Sequence, residues 1–301
     1  MSNNAKGISQ ILAKADKLGF ALEHTLFCFE NTGVYSIPLS YALSSVKANY
    51  WIVPAIEIKR SKGISRGKTD KTDARDIAFY ALTHLHKAVC SSLPETDILK
   101  LQLLHTEREK LLKAVLLLKT SHEAEGFLPA EILKEIKSLN NATIKKLQHA
   151  QKEIEKKMMS LIKSNPALSQ QFSLITSVPG VGPLTAIYLI ITTKGFKLFA
   201  NWRKLACYAG VAPFQYSSGT SIKGKTRVHP LANKKLKSLL NMCALNAKRA
   251  DKEIGAYYER KVKEGKNAML VMNAVRCKVL ARIFATIQRQ TPYVNLQKFA
   301  A

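Results

Sequence analysis

Three carboxylates in the first quarter of the chain have the types and spacing of a metal-dependent phosphoryl-transfer site. Glu30 follows Thr25 to Phe29, an apolar run typical of a buried strand, and α/β active sites gather at the carboxyl ends of strands. Asp70 and Asp73 lie three residues apart at the start of a predicted helix, so they share one face. Such oxygen ligands suit Mg²⁺, which can stabilise the attacking and leaving oxygens of phosphoryl transfer. The structural alternative is that the aspartates cap the helix and Glu30 is a turn residue.

A glycine-rich turn, Val178 to Pro183, separates two apolar helical segments and has the pattern of a helix-hairpin-helix. Gly180 and Gly182 would let the backbone approach a phosphate closely, and the N–H groups at the next helix start would point at it. Such a hairpin binds the nucleic-acid backbone without reading its sequence. The alternative is an ordinary turn between packed helices.

A serine-rich segment, Pro213 to Ser221, is followed by three basic residues, Lys223, Lys225 and Arg227. A serine beside glycine in a basic loop is a candidate nucleophile for a phosphodiester. Its hydroxyl needs a nearby base or metal, and His229 is close in sequence. The alternative is a polar loop whose hydroxyls bind phosphate.

The charge of the chain indicates a polyanionic partner. There are 47 Lys and Arg against 21 Asp and Glu, a formal net charge of +26. From Lys156 to Ala250 there is no acidic residue, whereas there are 15 basic ones, and this pattern is typical of a face that meets phosphates. A second basic stretch is predicted to be a Gly-containing loop and includes Lys59, Arg60 and Lys68. No basic amphipathic helix with aromatic anchors is evident, which disfavours a membrane surface as the partner.

The five cysteines are scattered without a CxxC pair, which disfavours a disulfide framework or a zinc site and suits a reducing cytoplasm. The apolar runs are too short to span a bilayer, and the first residues lack the apolar region of a signal peptide.

Periodicity divides the chain into three predicted domains. In residues 1–92, strands at Thr25 to Phe29 and Tyr50 to Val53 alternate with helices, which indicates an α/β layer. Residues 93–165 carry two long helical repeats, which predict a hairpin or coiled coil for self-association. The alternative is a helical linker packed on its own domain. Residues 166–301 are predicted to be mostly helical. The fold class is thus α/β plus mainly α.

Four motifs, in this order, resemble the IS110/IS1111 family of transposases, also called DEDD recombinases. Phe27 to Gly33 (FCFENTG) resembles the family's Glu motif, and Lys68 to Ala78 (KTDKTDARDIA) its paired-Asp motif. Val178 to Pro183, and Tyr208 to Pro213 with the following Ser217, Ser218 and Gly219, resemble the C-terminal IS116/IS110/IS902-type transposase domain. The resemblance covers nearly the whole chain, and the co-occurrence is more specific than any single motif.

This resemblance implies a RuvC-like, RNase H-type N-terminal domain, a coiled-coil connector and a helical C-terminal domain that supplies a catalytic serine. By position, Glu30, Asp70 and Asp73 would hold Mg²⁺, and Ser218 would be the nucleophile, with Ser217 as the second choice. The implied function is a DNA transposase that binds element ends and target, then cuts and rejoins strands. It would act as a homo-oligomer at the bacterial nucleoid, and some relatives use a structured non-coding guide RNA.

One departure from the family pattern concerns the first catalytic aspartate, which lies upstream of the Glu motif. Here Asp16, in a helix-like stretch, is the sole aspartate before Glu30. We therefore expect an N-terminally truncated chain without the strand that carries the first acid. The alternative function is a catalytically impaired remnant that still binds nucleic acid. A further alternative, a RuvC-like junction nuclease, would use the acids and have no need of Ser218.

Overall fold

A computed structural model of the chain describes residues 3–62, 69–120, 130–218, 222–228 and 232–295. The chain is mostly helical and divides into two compact units, Met1–Pro94 and Glu95–Ala301. Among the described helices, none combines the length and the apolar character needed to cross a lipid bilayer.

The first unit is a small α/β layer, as the alternating strand and helix patterns predict. Its two strands are parallel, with Leu26 opposite Asn49 and Glu30 opposite Val53. The strands begin and end within a residue of the predicted runs, because both are short apolar segments bounded by turn residues. Its elements are α1 (Ala5–Lys17), β1 (Leu26–Glu30), α2 (Ile37–Ser45), β2 (Asn49–Val53), α3 (Ala55–Ser61) and α4 (Asp70–Thr83).

Helices cover both faces of this sheet, since successive strand residues point to opposite sides. On one side Trp51 and Val53 pack with Ile58 of α3 and Tyr80 of α4. On the other side Tyr50 packs among residues of α1 and α2, such as Leu12 and Leu43. The Tyr80 hydroxyl donates to Glu57 at 2.8 Å, and burial together with this bond raises the pKa of Tyr80 to about 12.

The second unit is helical except for a two-stranded hairpin. The hairpin corrects the predicted loop over Pro213 to Ser221, because aromatic and β-branched residues such as Phe214, Tyr216 and Ile222 favour paired strands. Its elements are α5 (Thr96–Thr120), α6 (Ala130–Ser164), α7 (Pro166–Thr176), α8 (Pro183–Thr193), α9 (Trp202–Tyr208), β3 (Phe214–Ser218), β4 (Ile222–Arg227), α10 (Lys234–Ala250), α11 (Lys252–Lys263) and α12 (Ala268–Arg289).

The two long helices, α5 and α6, pack antiparallel as a helical hairpin. Asn165 at the end of α6 donates to Asp97 at the start of α5, at 2.9 Å, and further along Arg108 pairs with Glu155 at 2.6 Å. The end of the hairpin nearest these residues contributes Leu101 and other apolar side chains to the main core of the unit. The helical connector and the C-terminal helices therefore share one core.

Helix α8 lies at the centre of that core. Its residues Ala186, Ile187, Leu189 and Ile190 are almost fully buried, as the nearly continuous apolar run of α8 predicts. Helices α5, α7 and α10 pack against it, with side chains such as Leu240. This core sets the position of the turns and of the strand hairpin at its surface.

Candidate functional site

Glu30 is the last residue of β1, at the carboxyl end of the two parallel strands. Strand alternation places Glu30 on the same sheet face as Cys28, which packs against the cluster of Trp51 and Tyr80. Helix α4 covers this face. The strand end and the helix with the paired aspartates therefore belong to one side of the sheet.

Asp70 and Asp73 lie in the first turn of α4, behind the N-cap Thr69, whose side chain forms a capping box with Thr72. Asp70 is exposed. The Lys62 ammonium at the end of α3 contacts Asp73 at 3.0 Å and Asp76 at 2.8 Å. The hydrogen bonds to Asp76 and then to Asp73 raise the pKa of Lys62. A cation thus already lies between two carboxylates of this helix.

The carboxylates fit a hard divalent cation in kind, because all their donors are oxygen. Their placement fits less well. Within the described parts of the chain, no three Asp, Glu, His or Cys side chains meet as a metal-binding group, so Glu30 is not gathered with Asp70 and Asp73. Asp76 is a further carboxylate that the motif analysis did not single out. The three-residue spacing of Asp70, Asp73 and Asp76 is the signal that would have found it.

The basic residues predicted beside these acids are only partly described. Lys59 and Arg60 are exposed in the last turn of α3, so the stretch predicted as a loop is helical as far as Ser61. Lys68 lies outside the described residues. The exposed pair leaves the end of α3 positively charged within the same unit as the acids.

In the second unit, the two glycines of the turn between α7 and α8 have different surroundings. Gly180 has a φ of +87°, and a Cβ there would lie 2.5 Å from the backbone nitrogen of Ala247 and from the carbonyl oxygen of Cys243. Close packing against α10 therefore requires Gly180. Gly182, the N-cap of α8, has open space around its α-carbon.

The candidate nucleophiles lie at the end of β3. Ser217 is the cross-strand partner of Lys223, and Ser218 is the partner of Ile222. Lys225 and Arg227 follow along β4. Gly219 and His229 lie outside the described residues. The register brings both serines into a hairpin whose second strand carries the predicted basic residues.

A polar network joins α9, which precedes this hairpin, to the start of α10, which follows it. No motif in the sequence indicated this network. The Asn233 N–H donates to the carbonyl of Tyr208 at 2.8 Å, which joins the end of α9 to the start of α10. The Asn233 side chain caps α10 and also bonds the hydroxyls of Tyr188 and Tyr208. His105 packs on the Tyr188 ring at 5.1 Å, and burial lowers the pKa of His105. The segment carrying both strands is thus anchored at its base.

Two protein families match separate parts of this chain. Residues 172–259 match a family described as "Transposase IS116/IS110/IS902 family". Residues 1–126 match a family described as "Transposase", of the DEDD and IS110 type. The first match includes the glycine turn and the serine hairpin, and the second includes Glu30, Asp70 and Asp73.

Three curated relatives agree with these matches. The chain is 25% identical to the pilin gene-inverting proteins of Moraxella bovis and Moraxella lacunata, over 97% of this chain and 89% of each relative. It is also 32% identical to the "Insertion element IS110 uncharacterized 43.6 kDa protein" of Streptomyces coelicolor, over 46% of this chain and 33% of that protein.

Proposed function

Because this chain belongs to the IS110 family of transposases, which are DNA-recombining enzymes, we propose that it binds element-end DNA and both cuts and rejoins its strands. The observation that carries the proposal is the serine pair at the end of β3, facing a strand with Lys223, Lys225 and Arg227. A nucleophile for a phosphodiester and the cations for its phosphates thus lie on one hairpin.

Ser218 is the proposed nucleophile, with Ser217 as the second choice. The Ser218 hydroxyl gives up its proton as its oxygen attacks phosphorus, a serine–phosphate bond forms, and the bond from phosphorus to one sugar oxygen breaks. The departing sugar oxygen takes up a proton. Rejoining is the reverse attack by a sugar hydroxyl on the serine–phosphate ester, which conserves the energy of the bond and frees the serine.

The DEDD transposase family is typically metal-dependent, and we propose Mg²⁺ as the ion for this chain. Glu30, Asp70 and Asp73 would hold it, and the bound ion would stabilise charge on the phosphate oxygens. Two observations support this assignment. All the donor atoms are carboxylate oxygens, and Glu30 lies on the sheet face that is covered by α4, the helix of the two aspartates. Asp73 is paired with Lys62 at 3.0 Å, so the lysine would have to release it.

Phosphate contacts are proposed for the basic positions of both units, namely Lys59, Arg60, Lys68, Lys223, Lys225 and Arg227. A helix-hairpin-helix at α7 and α8 is proposed as a further backbone contact. The open space at Gly182 supports a close approach of a phosphate to that residue. At Gly180, close packing against α10 is itself a sufficient reason for a glycine.

Homo-oligomerisation and a structured guide RNA are proposed as further features. Exposed leucines on the long helical hairpin, such as Leu117 and Leu139 at 72% and 66% exposure, support self-association through that element. The pilin gene-inverting relatives support recombination in which a DNA segment is inverted.

A strand-cleavage assay on element-end DNA tests the proposal, with Mg²⁺ and with the flanking non-coding RNA added or omitted. We expect cleavage through a covalent protein–DNA adduct that disappears in Ser218→Ala. The double variant Asp70→Asn with Asp73→Asn should abolish cleavage and leave duplex binding largely intact. Chelation of the divalent ion should have the same effect as the double variant.

Asp16→Asn is the matched control, because Asp16 is an exposed acid of the same unit on α1. It should leave both cleavage and binding unchanged. If the double variant loses DNA binding together with cleavage, the two aspartates are structural caps of α4. Cleavage that persists in Ser218→Ala and in Ser217→Ala would remove the serine mechanism.

A further inference from the structure

Arg276 is a buried cation in the middle of α12 with only 6% of its surface exposed. Its Nη2 donates to the Asn241 side-chain oxygen at 2.5 Å, and its Nη1 to the Asn273 side-chain oxygen at 3.2 Å. Its Nε has no hydrogen-bond partner within the described part of the chain. Both partners are neutral amides, so nothing among these contacts balances the charge.

The neighbouring arginine on the same helix shows what a balanced site looks like. Arg282 pairs with Asp251 at 2.8 Å and with Glu253 at 2.6 Å. Arg276 makes no ion pair with any described carboxylate, and its α10 partner Asn241 lies in the acid-free stretch of the sequence. A buried charge without a counter-charge is strongly disfavoured. Burial accordingly lowers the pKa of the Arg276 guanidinium.

The group around Arg276 contacts the segment that leads into the serine hairpin. Asn273, which accepts from Arg276, donates through its amide nitrogen to the carbonyl of Val211 at 2.6 Å. The thiol of Cys277 also donates to this carbonyl, at 3.4 Å. Val211 precedes the start of β3 at Phe214 by three residues. Arg276 is therefore connected through one side chain to the backbone that positions Ser217 and Ser218.

We propose that Arg276, held by Asn241 and Asn273, is a phosphate-binding site that receives a DNA phosphodiester at the base of the serine hairpin. The inference rests on the proposed strand cleavage and adds a residue to it. A phosphate oxygen would supply the missing negative charge, and a guanidinium presents a fork that suits it. The amide nitrogen of Asn241 makes no hydrogen bond with the described residues, so it can donate to the same phosphate.

The test compares the wild-type chain with Arg276→Met, in which an apolar side chain of similar length replaces the charged one. In the wild type, inorganic phosphate should raise the Tm by about 2 °C or more, since a ligand of the folded state stabilises it. Arg276→Met should lose this shift, while its Tm without phosphate should equal or exceed that of the wild type. Its strand cleavage should fall by about 100-fold, whereas its duplex binding should weaken only by about tenfold, which corresponds to one lost phosphate contact.

Arg289→Met is the matched control, because Arg289 is an exposed arginine at the end of the same helix. It should keep both the phosphate shift and the cleavage rate. Arg276→Lys should keep the charge, lose the fork and cleave at an intermediate rate. The opposite outcome would be that inorganic phosphate raises the Tm of the wild type while Arg276→Met cleaves DNA at the full rate. That result would identify a small-anion site and overturn the DNA assignment.

If Arg276→Met fails to fold, the Nε–Hε NMR signal of Arg276 in the wild type tests the proposal instead. This signal is assigned by comparison with the spectrum of Arg276→Lys. We expect this signal to shift on addition of phosphate and of a short DNA duplex, and an unmoved signal would overturn the proposal. If the wild type itself cleaves no DNA, the proposed function fails. The phosphate shift and the NMR signal still report on the Arg276 site in that case.

Discussion

Asp251 illustrates how a single buried carboxylate holds several segments of the second unit together. It caps α11 by accepting from the Ile254 N–H at 3.0 Å, pairs with Arg282 of α12 and accepts from the Tyr293 hydroxyl at 3.2 Å. Burial by itself would raise the pKa of Asp251. The Ile254 hydrogen bond, the Arg282 charge and the Tyr293 hydroxyl together outweigh burial and lower that pKa. The ionised carboxylate is therefore the form that stabilises the fold.

We expect Asp251→Asn to lower the free energy of unfolding by about 3 kcal/mol at neutral pH, because it leaves Arg282 without its buried partner. Since the folded pKa is depressed, this stabilisation is present above the unfolded pKa of about 3.9 and is lost as the pH falls through the folded value. Urea unfolding at neutral and acidic pH measures the effect. The gap between variant and wild type should close in acid.

Glu253→Gln is the control for this prediction. Glu253 pairs with the same arginine but has 54% of its side chain exposed, so its loss should cost less than about 1 kcal/mol. A gap for Asp251→Asn that stays constant with pH would contradict the role given to the ionised carboxylate.

Among individual residues, the sequence indicated those that belong to local motifs. It did not indicate residues whose role depends on contacts with partners distant in the sequence. Glu30, Asp70 and Asp73 were proposed as site residues because strand ends and helix starts can be predicted locally, and their role stays a prediction. Arg276 and Asn241 are far apart in sequence, and neither has a spacing signal. The same is true of the Lys62 contact with Asp73, since Lys62 and Asp73 meet only through the packing of α3 on α4.

The helices and parallel strands were largely predictable from the sequence, because periodicity and capping residues are local properties. The two long helical repeats of residues 93–165 were predicted and are present as α5 and α6. The β3–β4 hairpin was predicted as a loop, because its strands are short, β3 ends in two serines and β4 is rich in basic residues. Cross-strand pairing such as Ser217 with Lys223 becomes evident only when the chain is folded.

The turn between α7 and α8 gives a prediction that separates two glycines two residues apart. Gly180→Ala should lower the free energy of unfolding by about 2–4 kcal/mol, since the new Cβ would clash with the backbone of α10 at a positive φ. Gly182→Ala should cost less than about 1 kcal/mol, because its φ is −90° and its surroundings are open. Chemical denaturation midpoints of the two variants measure the difference, and equal losses would contradict the packing role of Gly180.

On the scale of the whole molecule, the charge distribution makes the most general prediction. A net charge of +26, with 15 basic and no acidic residues from Lys156 to Ala250, favours binding through the release of counterions from DNA phosphates. The affinity for duplex DNA should therefore fall steeply with salt, by about 1,000-fold between roughly 50 and 200 mM if about six phosphates are contacted. Fluorescence anisotropy of a labelled duplex measures this slope.

Two adjacent lysines at the start of α10 sharpen the salt prediction. Lys234 is exposed and has no ion-pair partner among the described residues, whereas Lys235 pairs with Glu109 at 2.7 Å. If Lys234 contacts a phosphate, Lys234→Gln should flatten the slope of log affinity against log salt by about 0.9. Lys235→Gln should leave that slope unchanged, because the charge of Lys235 is already compensated within the fold. A flat salt response of the wild-type chain would contradict the electrostatic basis of binding, and equal slopes for both variants would remove Lys234 from the DNA contact.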